Sequence, residues 1–209
     1  MKKPGNIKKQ ARVEKKIPLA VATAIADAIV EHLRFTCEKI DIVGSVRRSE
    51  REVGDIDIVL RPIHVWSSSE NKFVRDPKWF AAIRSLGIVE MNSKGMPLSQ
   101  RRNVKVTLPW ARGVKVDIWI PQDHDYGRIM AIRTGNDKYA REVITGMWTR
   151  QQWVGTSDGL RRRSECIQTP SKTWRCTATI PQLPPPFPTE ESFFEYFNMK
   201  AIAPHLRKL

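Results

Sequence analysis

The sequence is poor in the residues that build disulfide frameworks and zinc sites. Its 209 residues include three cysteines, Cys37, Cys166 and Cys176, and four histidines. Three cysteines are too few for a disulfide framework and fit a reducing compartment. Without a C-x-x-C motif, a structural zinc site is not expected. Cys166 and Cys176 are placed to meet across a hairpin, although two separate structural thiols is the favoured interpretation.

Long apolar segments are also missing. No stretch approaches the ~20 consecutive apolar residues of a membrane-spanning helix. The basic segment 1–16 is not followed by the apolar stretch of a signal peptide. We therefore expect an intracellular protein, in the cytoplasm or nucleoid, without a membrane partner. A monomer is the default expectation for its oligomeric state.

Acidic residues are scarce relative to basic ones. The chain has 22 Asp and Glu against 36 Lys and Arg, which gives a formal net charge of +14 and a pI near 10.0. This charge indicates a polyanionic partner, most simply nucleic acid. A soluble protein with a generous coat of Lys and Arg is the plainer alternative. Residues 1–17 are interpreted as a basic arm, either on a phosphate backbone or solvated as a tail.

Hydrophobic spacing predicts alternating helices and strands in the first part of the chain. The residues from Pro18 to Leu33 have helical spacing. Asp76-Pro77 predicts the start of another helix, with Phe80 on its inward face and Gly87 at its end. Alternating or apolar segments predict strands. The predicted strands are residues 38–43, 55–60, 103–108 and 114–120.

The second part of the chain changes character. A helical pattern over residues 126–146 is interrupted at 134–136. A β-rich region follows over 148–180, and the five prolines within 181–188 predict an extended connector. Thr189 is expected to cap a closing helix. At this length the chain can bury a core as one domain or as two small ones.

The most informative motif joins a Gly-Ser turn to two aspartates. The segment 44–48 reads GSVRR and is followed by GDID at 54–57. Residues two apart in a strand project from the same face, so we expect Asp55 and Asp57 to project together. Adjacent carboxylates repel each other unless a cation or a proton lies between them. Asp117 adds a third carboxylate on the polar face of a later strand, with Lys115 beside it. This pattern predicts a metal site.

These motifs resemble those of the family X DNA polymerases, members of the polymerase-β-like nucleotidyltransferase superfamily. The family pattern is a G-S-x-R-R turn, a G-D-x-D strand and a third aspartate on a later strand. The chain reads GSVRR, GDIDIV and VKVDIWI at these places. The segment 134–137 resembles the T-G-S turn that opens the thumb subdomain, and 189–207 resembles the family's closing segment. The resemblance covers residues 18–207 and is weakest between 61 and 103.

The resemblance implies an α+β fold in two parts. Residues 18–133 would form a nucleotidyltransferase palm, with a mixed or antiparallel sheet and flanking helices. Residues 134–209 would form a small α+β thumb lobe, with a boundary near Thr134. Only 43 residues precede Gly44, so the family's DNA-gripping helix-hairpin-helix domains are not expected. A reduced palm-and-thumb enzyme is the implied form.

The resemblance also implies residue roles. Asp55, Asp57 and Asp117 would be catalytic and would ligate two Mg²⁺ ions, with Mn²⁺ as a substitute. Two ions ~4 Å apart stabilise the attacking and leaving oxygens of an in-line phosphoryl displacement. The partners would be a dNTP and DNA, as primer–template or gapped duplex. The implied nucleotide-binding residues are Gly44, Ser45, Arg48, Gly54, Thr134, Gly135 and Asp137. The implied primer or DNA contacts are Lys115 and Arg141.

Three residues have two interpretations each. Arg47 matches the family turn, but a surface ion pair with Glu50 or Glu52 suits it equally. Asp137 matches a residue near the incoming base, yet it equally suits the first turn of a helix. Trp119 could stack on a base, although packing against a helix is favoured because a large aromatic usually buries its area.

Two departures from the family keep other functions open. Ile132 and Arg133 stand where the family often has an aromatic pair that crowds the sugar 2′ position. Ala140 stands where it often has an asparagine for the minor-groove edge of the base. The leading hypothesis is a minimal DNA-directed DNA polymerase for short gaps. The alternatives are a template-independent nucleotidyltransferase acting on RNA ends, a protein or a small molecule, and a catalytically silent nucleic-acid-binding module.

Overall fold

The structure is a computed structural model that describes residues 16–91 and 102–209. The predicted arm 1–17 lies outside the described residues except for its last two positions. The described chain has a mixed α+β fold, which confirms the predicted α+β class. The helices are α1 Leu19–Leu33, α2 Gly44–Arg47, α3 Lys78–Leu86, α4 Tyr126–Thr134, α5 Asp137–Tyr139, α6 Gly146–Arg150 and α7 Glu190–Tyr196.

The strands fall into four sheets within the described residues. They are β1 Ile17–Pro18, β2 Cys37–Val43, β3 Glu52–Val53, β4 Ile56–Pro62, β5 His64–Ser67, β6 Lys72–Arg75, β7 Ile88–Val89, β8 Asn103–Leu108, β9 Val114–Trp119, β10 Trp153–Thr156, β11 Gly159–Arg162, β12 Cys166–Gln168 and β13 Trp174–Cys176. A five-stranded sheet has the order β2-β4-β9-β8-β7, and a four-stranded sheet has the order β11-β10-β13-β12. The pairs β1-β3 and β5-β6 form two short ribbons.

The five-stranded sheet positions the acidic residues. Strands β4 and β9 are parallel neighbours, and every other pairing in this sheet is antiparallel. The alternation predicted for β9 is confirmed, since Val116 and Ile118 are buried while Asp117 and Trp119 are only half-buried. The hairpin of β8 and β9 is also confirmed. Helices α1 and α3 cover the apolar face of the sheet and complete its core.

Two helices differ from their prediction. In α3 the fully inward side chains are Trp79, Ile83 and Leu86, whereas Phe80 is half-buried at the edge of the same core. The spacing of four and three residues between the buried side chains places them in one stripe, which Phe80 flanks. The second half of the 126–146 pattern continues beyond Gly146 to Arg150, through a π-helical turn at Ala140–Thr145.

The last third of the chain forms the second hydrophobic core. The predicted hairpin near 169–172 is confirmed by the antiparallel pairing of β12 and β13. Cys166 and Cys176 are directly opposite each other in that pairing, and all three cysteines are free thiols. Thr189 caps α7 through a reciprocal capping box with Ser192, as expected. No helix in the described ranges is both long and apolar enough to span a bilayer.

Candidate active site

The site begins with a tight turn at the end of β2. Gly44 has a φ of +63°, a left-handed conformation that glycine adopts at little cost. A β-carbon at this position would lie 2.3 Å from Asp57 Oδ2. The turn therefore needs glycine both for its backbone conformation and for the close approach of Asp57. Helix α2 starts here, and Ser45 within it and Arg48 directly after it line the same pocket as the carboxylates.

Three aspartates converge at one end of two neighbouring strands. Asp57 on β4 and Asp117 on β9 are direct register partners across the parallel pairing. Asp55 precedes β4 by one residue and shares the side of Asp57. All three line one polar pocket of about 380 Å³. The strand alternation that predicted a common direction for Asp55 and Asp57 is consistent with this arrangement.

Most of the predicted nucleotide-binding residues line the same pocket. They are Ser45, Arg48, Gly54, Gly135 and Asp137. Gly44 lies behind Asp57 and acts through its backbone conformation. Thr134 is fully buried; its hydroxyl accepts a hydrogen bond from Arg47 and its carbonyl accepts one from Arg48. Thr134 therefore anchors the two arginines.

The two predicted DNA-contacting residues lie elsewhere. Lys115 is exposed and lines a separate groove on the other side of Gly54. Arg141 is exposed on the π-helical turn and is not one of the residues that line the carboxylate pocket. The basic side chain directly opposite Asp117 is Lys105, whose Nζ lies 3.3 Å from Asp117 Oδ2. Because Lys105 is half exposed, this ion pair contributes little to stability.

The pKa of the Asp57 carboxyl is raised from 3.8 to about 6. Burial is the largest cause, and the negative charges of Asp55 and Asp117 also raise this pKa. A hydrogen bond from Trp119 and the positive charge of Arg133 oppose this shift. A buried carboxylate is costly to ionise, and a cation bound beside it offsets that cost.

Trp119 and Arg133 form a stack that the sequence did not reveal. Trp119 Nε1 donates a hydrogen bond to Asp57 Oδ1 at 3.0 Å. The guanidinium of Arg133, from α4, lies 3.3 Å from the centre of the Trp119 ring. Burial lowers the pKa of Arg133, and its Nε has no hydrogen-bond partner among the described residues. Trp119 thus positions Asp57 and also packs against α4, as favoured. The alternation on β9 was the one signal that placed Trp119 beside Asp117.

Arg47 makes a different ion pair from the one considered in the sequence. It donates to Glu190 through Nη2 at 2.9 Å and to the Thr134 hydroxyl at 2.6 Å. Glu50, one of the two expected partners, instead pairs with Arg48 at 3.3 Å. Arg47 therefore connects the Gly-Ser turn to the start of α7 and does not line the pocket.

The donor chemistry of the pocket suits a hard divalent cation. Its acidic groups are carboxylates, which Mg²⁺ and Mn²⁺ prefer over the nitrogen and sulfur ligands typical of zinc. Asp57 contacts Trp119, and Asp117 contacts Lys105. Within residues 16–91 and 102–209, no group of three His, Cys, Asp or Glu side chains is arranged as a ready-made metal site. A cation that used Asp117 Oδ2 would replace the Lys105 contact of that oxygen.

Fold and site together define a coarse class of protein. It is an α+β protein whose mixed sheet brings three aspartates and an arginine-bearing turn around one polar pocket. No protein-family model matches the chain. No curated protein is significantly similar to it.

Proposed function

We propose that the protein is a reduced nucleotidyltransferase of the DNA polymerase X type, with a palm at residues 18–133 and a thumb at 134–209. It would transfer a nucleotidyl group from a dNTP to a primer 3′-hydroxyl at short gaps in DNA. The observation that carries this proposal is the convergence of Asp55, Asp57 and Asp117 on one pocket. The net charge of +14 supports a polyanionic acceptor.

The phosphate end of the nucleotide would contact the Gly-Ser turn. Arg48 is held by the Thr134 carbonyl at 2.8 Å and by Glu50 at 3.3 Å. Its planar guanidinium is suited to donate two parallel hydrogen bonds to phosphate oxygens. The Ser45 hydroxyl lines the same pocket and adds a donor. These contacts orient the triphosphate for in-line attack.

The carboxylate end would hold the cations. Asp55, Asp57 and Asp117 would share two divalent ions, Mg²⁺ or Mn²⁺. When bound, such ions neutralise charge on the attacking and leaving oxygens of the displacement. Trp119 keeps one oxygen of Asp57 fixed through its hydrogen bond. Gly44 keeps the other side of Asp57 free of a β-carbon.

A primer-extension assay tests the proposal. Labelled primers are incubated with each dNTP singly, with and without template, in Mg²⁺ or Mn²⁺. We expect addition of the complementary nucleotide, and we expect Asp57→Asn to lower the rate by at least about 10²- to 10³-fold, as for loss of one preorganised charge-stabilising group. Asp27→Asn, at an exposed aspartate of α1, is the matched control. Turnover unchanged by Asp57→Asn would refute the site assignment.

Template-independent transfer is the second candidate function. Arg133 and Ala140 line the pocket. They stand at positions where a template-dependent polymerase of this type would check the sugar or the base pair of the incoming nucleotide. An acceptor at an RNA end, on a protein or in a small molecule would then be used without a template. Addition that ignores the template base in the same assay would favour this candidate.

A further inference from the structure

A second and larger depression adjoins the carboxylate pocket. It has a volume of about 930 Å³ and lies between the start of α1 and the turn that joins β8 to β9. This volume is at the upper end of the ~300–1,000 Å³ typical of ligand sites. Pro18, Val21 and Ile25 form an apolar wall on the α1 side. We refer to this depression as the hairpin groove.

The hairpin groove presents a fixed aromatic ring. Trp110 lies in the short 3₁₀ turn Pro109–Ala111 and is 55% exposed. Its Nε1 donates a hydrogen bond to the Leu86 carbonyl at 2.9 Å, which holds the indole in place. A large exposed aromatic with a fixed orientation has a preformed face for stacking, because little side-chain entropy is lost when a ligand binds.

The charge of the hairpin groove has one sign. Lys16, Arg112 and Lys115 line it, and no acidic side chain is among the described residues of its wall. Cations along an apolar wall with an aromatic platform are the combination by which proteins hold single-stranded nucleic acid: phosphates meet the cations and bases stack on the ring. The same charge disfavours a second copy of this chain, whose net charge is also +14.

The hairpin groove adjoins the carboxylate pocket at one shared residue. Gly54 lines both, and Asp55 follows it directly in the chain. Asp117 is two residues from Lys115 on the same face of β9. A strand that lies in the hairpin groove would therefore bring its end to the three aspartates.

We propose that the hairpin groove binds the terminal nucleotides of a single-stranded acceptor. A base stacks on Trp110, the phosphates contact Lys16, Arg112 and Lys115, and the 3′ end points past Gly54 to the carboxylates. This inference rests on the second candidate of the proposed function, template-independent transfer, because it assigns the path of an unpaired acceptor end in that reaction. Lys16, Trp110 and Arg112 are the residues that it adds to the site.

The test compares two exposed tryptophans on two kinds of strand. Fluorescence anisotropy measures binding of a labelled 12-nucleotide strand and of an abasic strand of the same length. We expect Trp110→Ala to weaken binding of the base-containing strand by about fivefold to 150-fold, the range typical of losing one stacked base. The affinity of the abasic strand for the Trp110→Ala variant should be within about twofold of its affinity for the unaltered protein. Trp66→Ala is the matched control, since Trp66 is 54% exposed on the β5–β6 ribbon.

Two further variants separate stacking from local folding and from charge. Trp110→Phe loses the hydrogen bond to Leu86 but keeps an aromatic face, so we expect it to retain most of the affinity. Arg112→Ala should reduce the slope of log affinity against log salt by about 0.7, the value for one single-strand phosphate contact. Circular dichroism checks that each variant is folded.

Several outcomes would overturn the inference. One is equal affinity of Trp110→Ala and Trp66→Ala for the base-containing strand, and another is an equal loss on the abasic strand. Self-association that Trp110→Ala abolishes in sedimentation would assign the groove to a second copy instead. Failure of the proposed function is distinguishable: binding would still depend on Trp110, but no acceptor would receive a nucleotide. Nucleotide addition with Trp110-independent binding would refute the groove alone.

Discussion

Asp57 is constrained both by the fold around it and by its place in the carboxylate pocket. It follows an apolar strand residue, lies against the Gly44 turn and receives the Trp119 hydrogen bond. Its projection to the same side as Asp55 was predictable, because strand alternation is a local property of the sequence. Its register opposite Asp117 depends on the parallel pairing of β4 with β9, and only the family resemblance implied that the two aspartates meet. The contact between Trp119 and Arg133 was not predictable, since it depends on how α4 packs on β9, and no local pattern encodes that packing.

The raised pKa of Asp57 predicts a pH-dependent cost to stability. A group that binds its proton more tightly in the folded state stabilises the fold below its unfolded pKa and loses that contribution as pH rises. With a pKa of about 6 instead of 3.8, the loss falls between about pH 4 and pH 6.5 and amounts to up to roughly 2–3 kcal/mol at 1.36 kcal/mol per pKa unit. In EDTA, Asp57→Asn should therefore become more stable relative to the unaltered protein across this window. Urea denaturation at a series of pH values measures the difference.

The same variants report on cation binding without an activity assay. At pH 7.5, Mg²⁺ should raise the melting temperature of the unaltered protein, because a ligand that binds only the folded state stabilises it. Asp57→Asn should lose most of this increase, and Asp27→Asn should keep it. An equal increase in all three proteins would show that Asp57 is not a ligand, and a flat pH profile of the stability difference would contradict the pKa.

Helices and strands were predicted best where a single local sequence pattern specifies them. Four strands of the five-stranded sheet, the helix after Pro18 and the capped helix after Thr189 follow local spacing and capping rules. The two-residue strand β7 was not predicted. The continuation of the helix past Gly146 and the parallel pairing of β10 with β13 did not follow from such rules. Glycine disfavours a helix interior by ~1 kcal/mol, so local rules predict a helix end at Gly146 that the structure does not have. Parallel pairing joins segments that are distant in sequence.

The turn between β2 and α2 can be tested by comparing two glycines. Gly44 and Gly113 both have left-handed φ angles, +63° and +80°. A β-carbon would lie 2.3 Å from Asp57 Oδ2 at Gly44, whereas nothing lies within 4 Å at Gly113. Gly113→Ala should cost about 1–2 kcal/mol from backbone strain alone. Gly44→Ala should cost about 1–3 kcal/mol more, as in other overpacked sites. Chemical denaturation measures both, and equal losses would mean that Asp57 moves aside freely.

At the scale of the whole molecule, the buried side chains of the described residues form three clusters. One lies beneath the five-stranded sheet, and another surrounds α7. The small third cluster packs Val43 and Val59 of the sheet against Tyr126 and Met130 of α4, so it joins the earlier and later parts of the chain. The boundary near Thr134 stays a prediction. Polar contacts also join residues before and after Thr134, and the network of Glu190 with Arg47 and Arg207 is one of them. Sequence reasoning missed it because Arg47, Glu190 and Arg207 lie far apart in the chain.

We expect Glu190 to contribute most to the contacts between the Gly-Ser turn and the C-terminal part of the chain. It is 4% exposed and lies between Arg47, at 2.9 Å, and Arg207, which is 2% exposed. Glu190→Gln preserves shape but leaves Arg207 buried without its counter-charge, so we expect a loss of about 3–5 kcal/mol in the free energy of unfolding. Glu191→Gln, at the exposed neighbouring position, should change it by no more than about 0.5 kcal/mol. Urea denaturation of the two variants makes the comparison. Equal stabilities would show that the buried ion pair contributes nothing that an amide cannot replace.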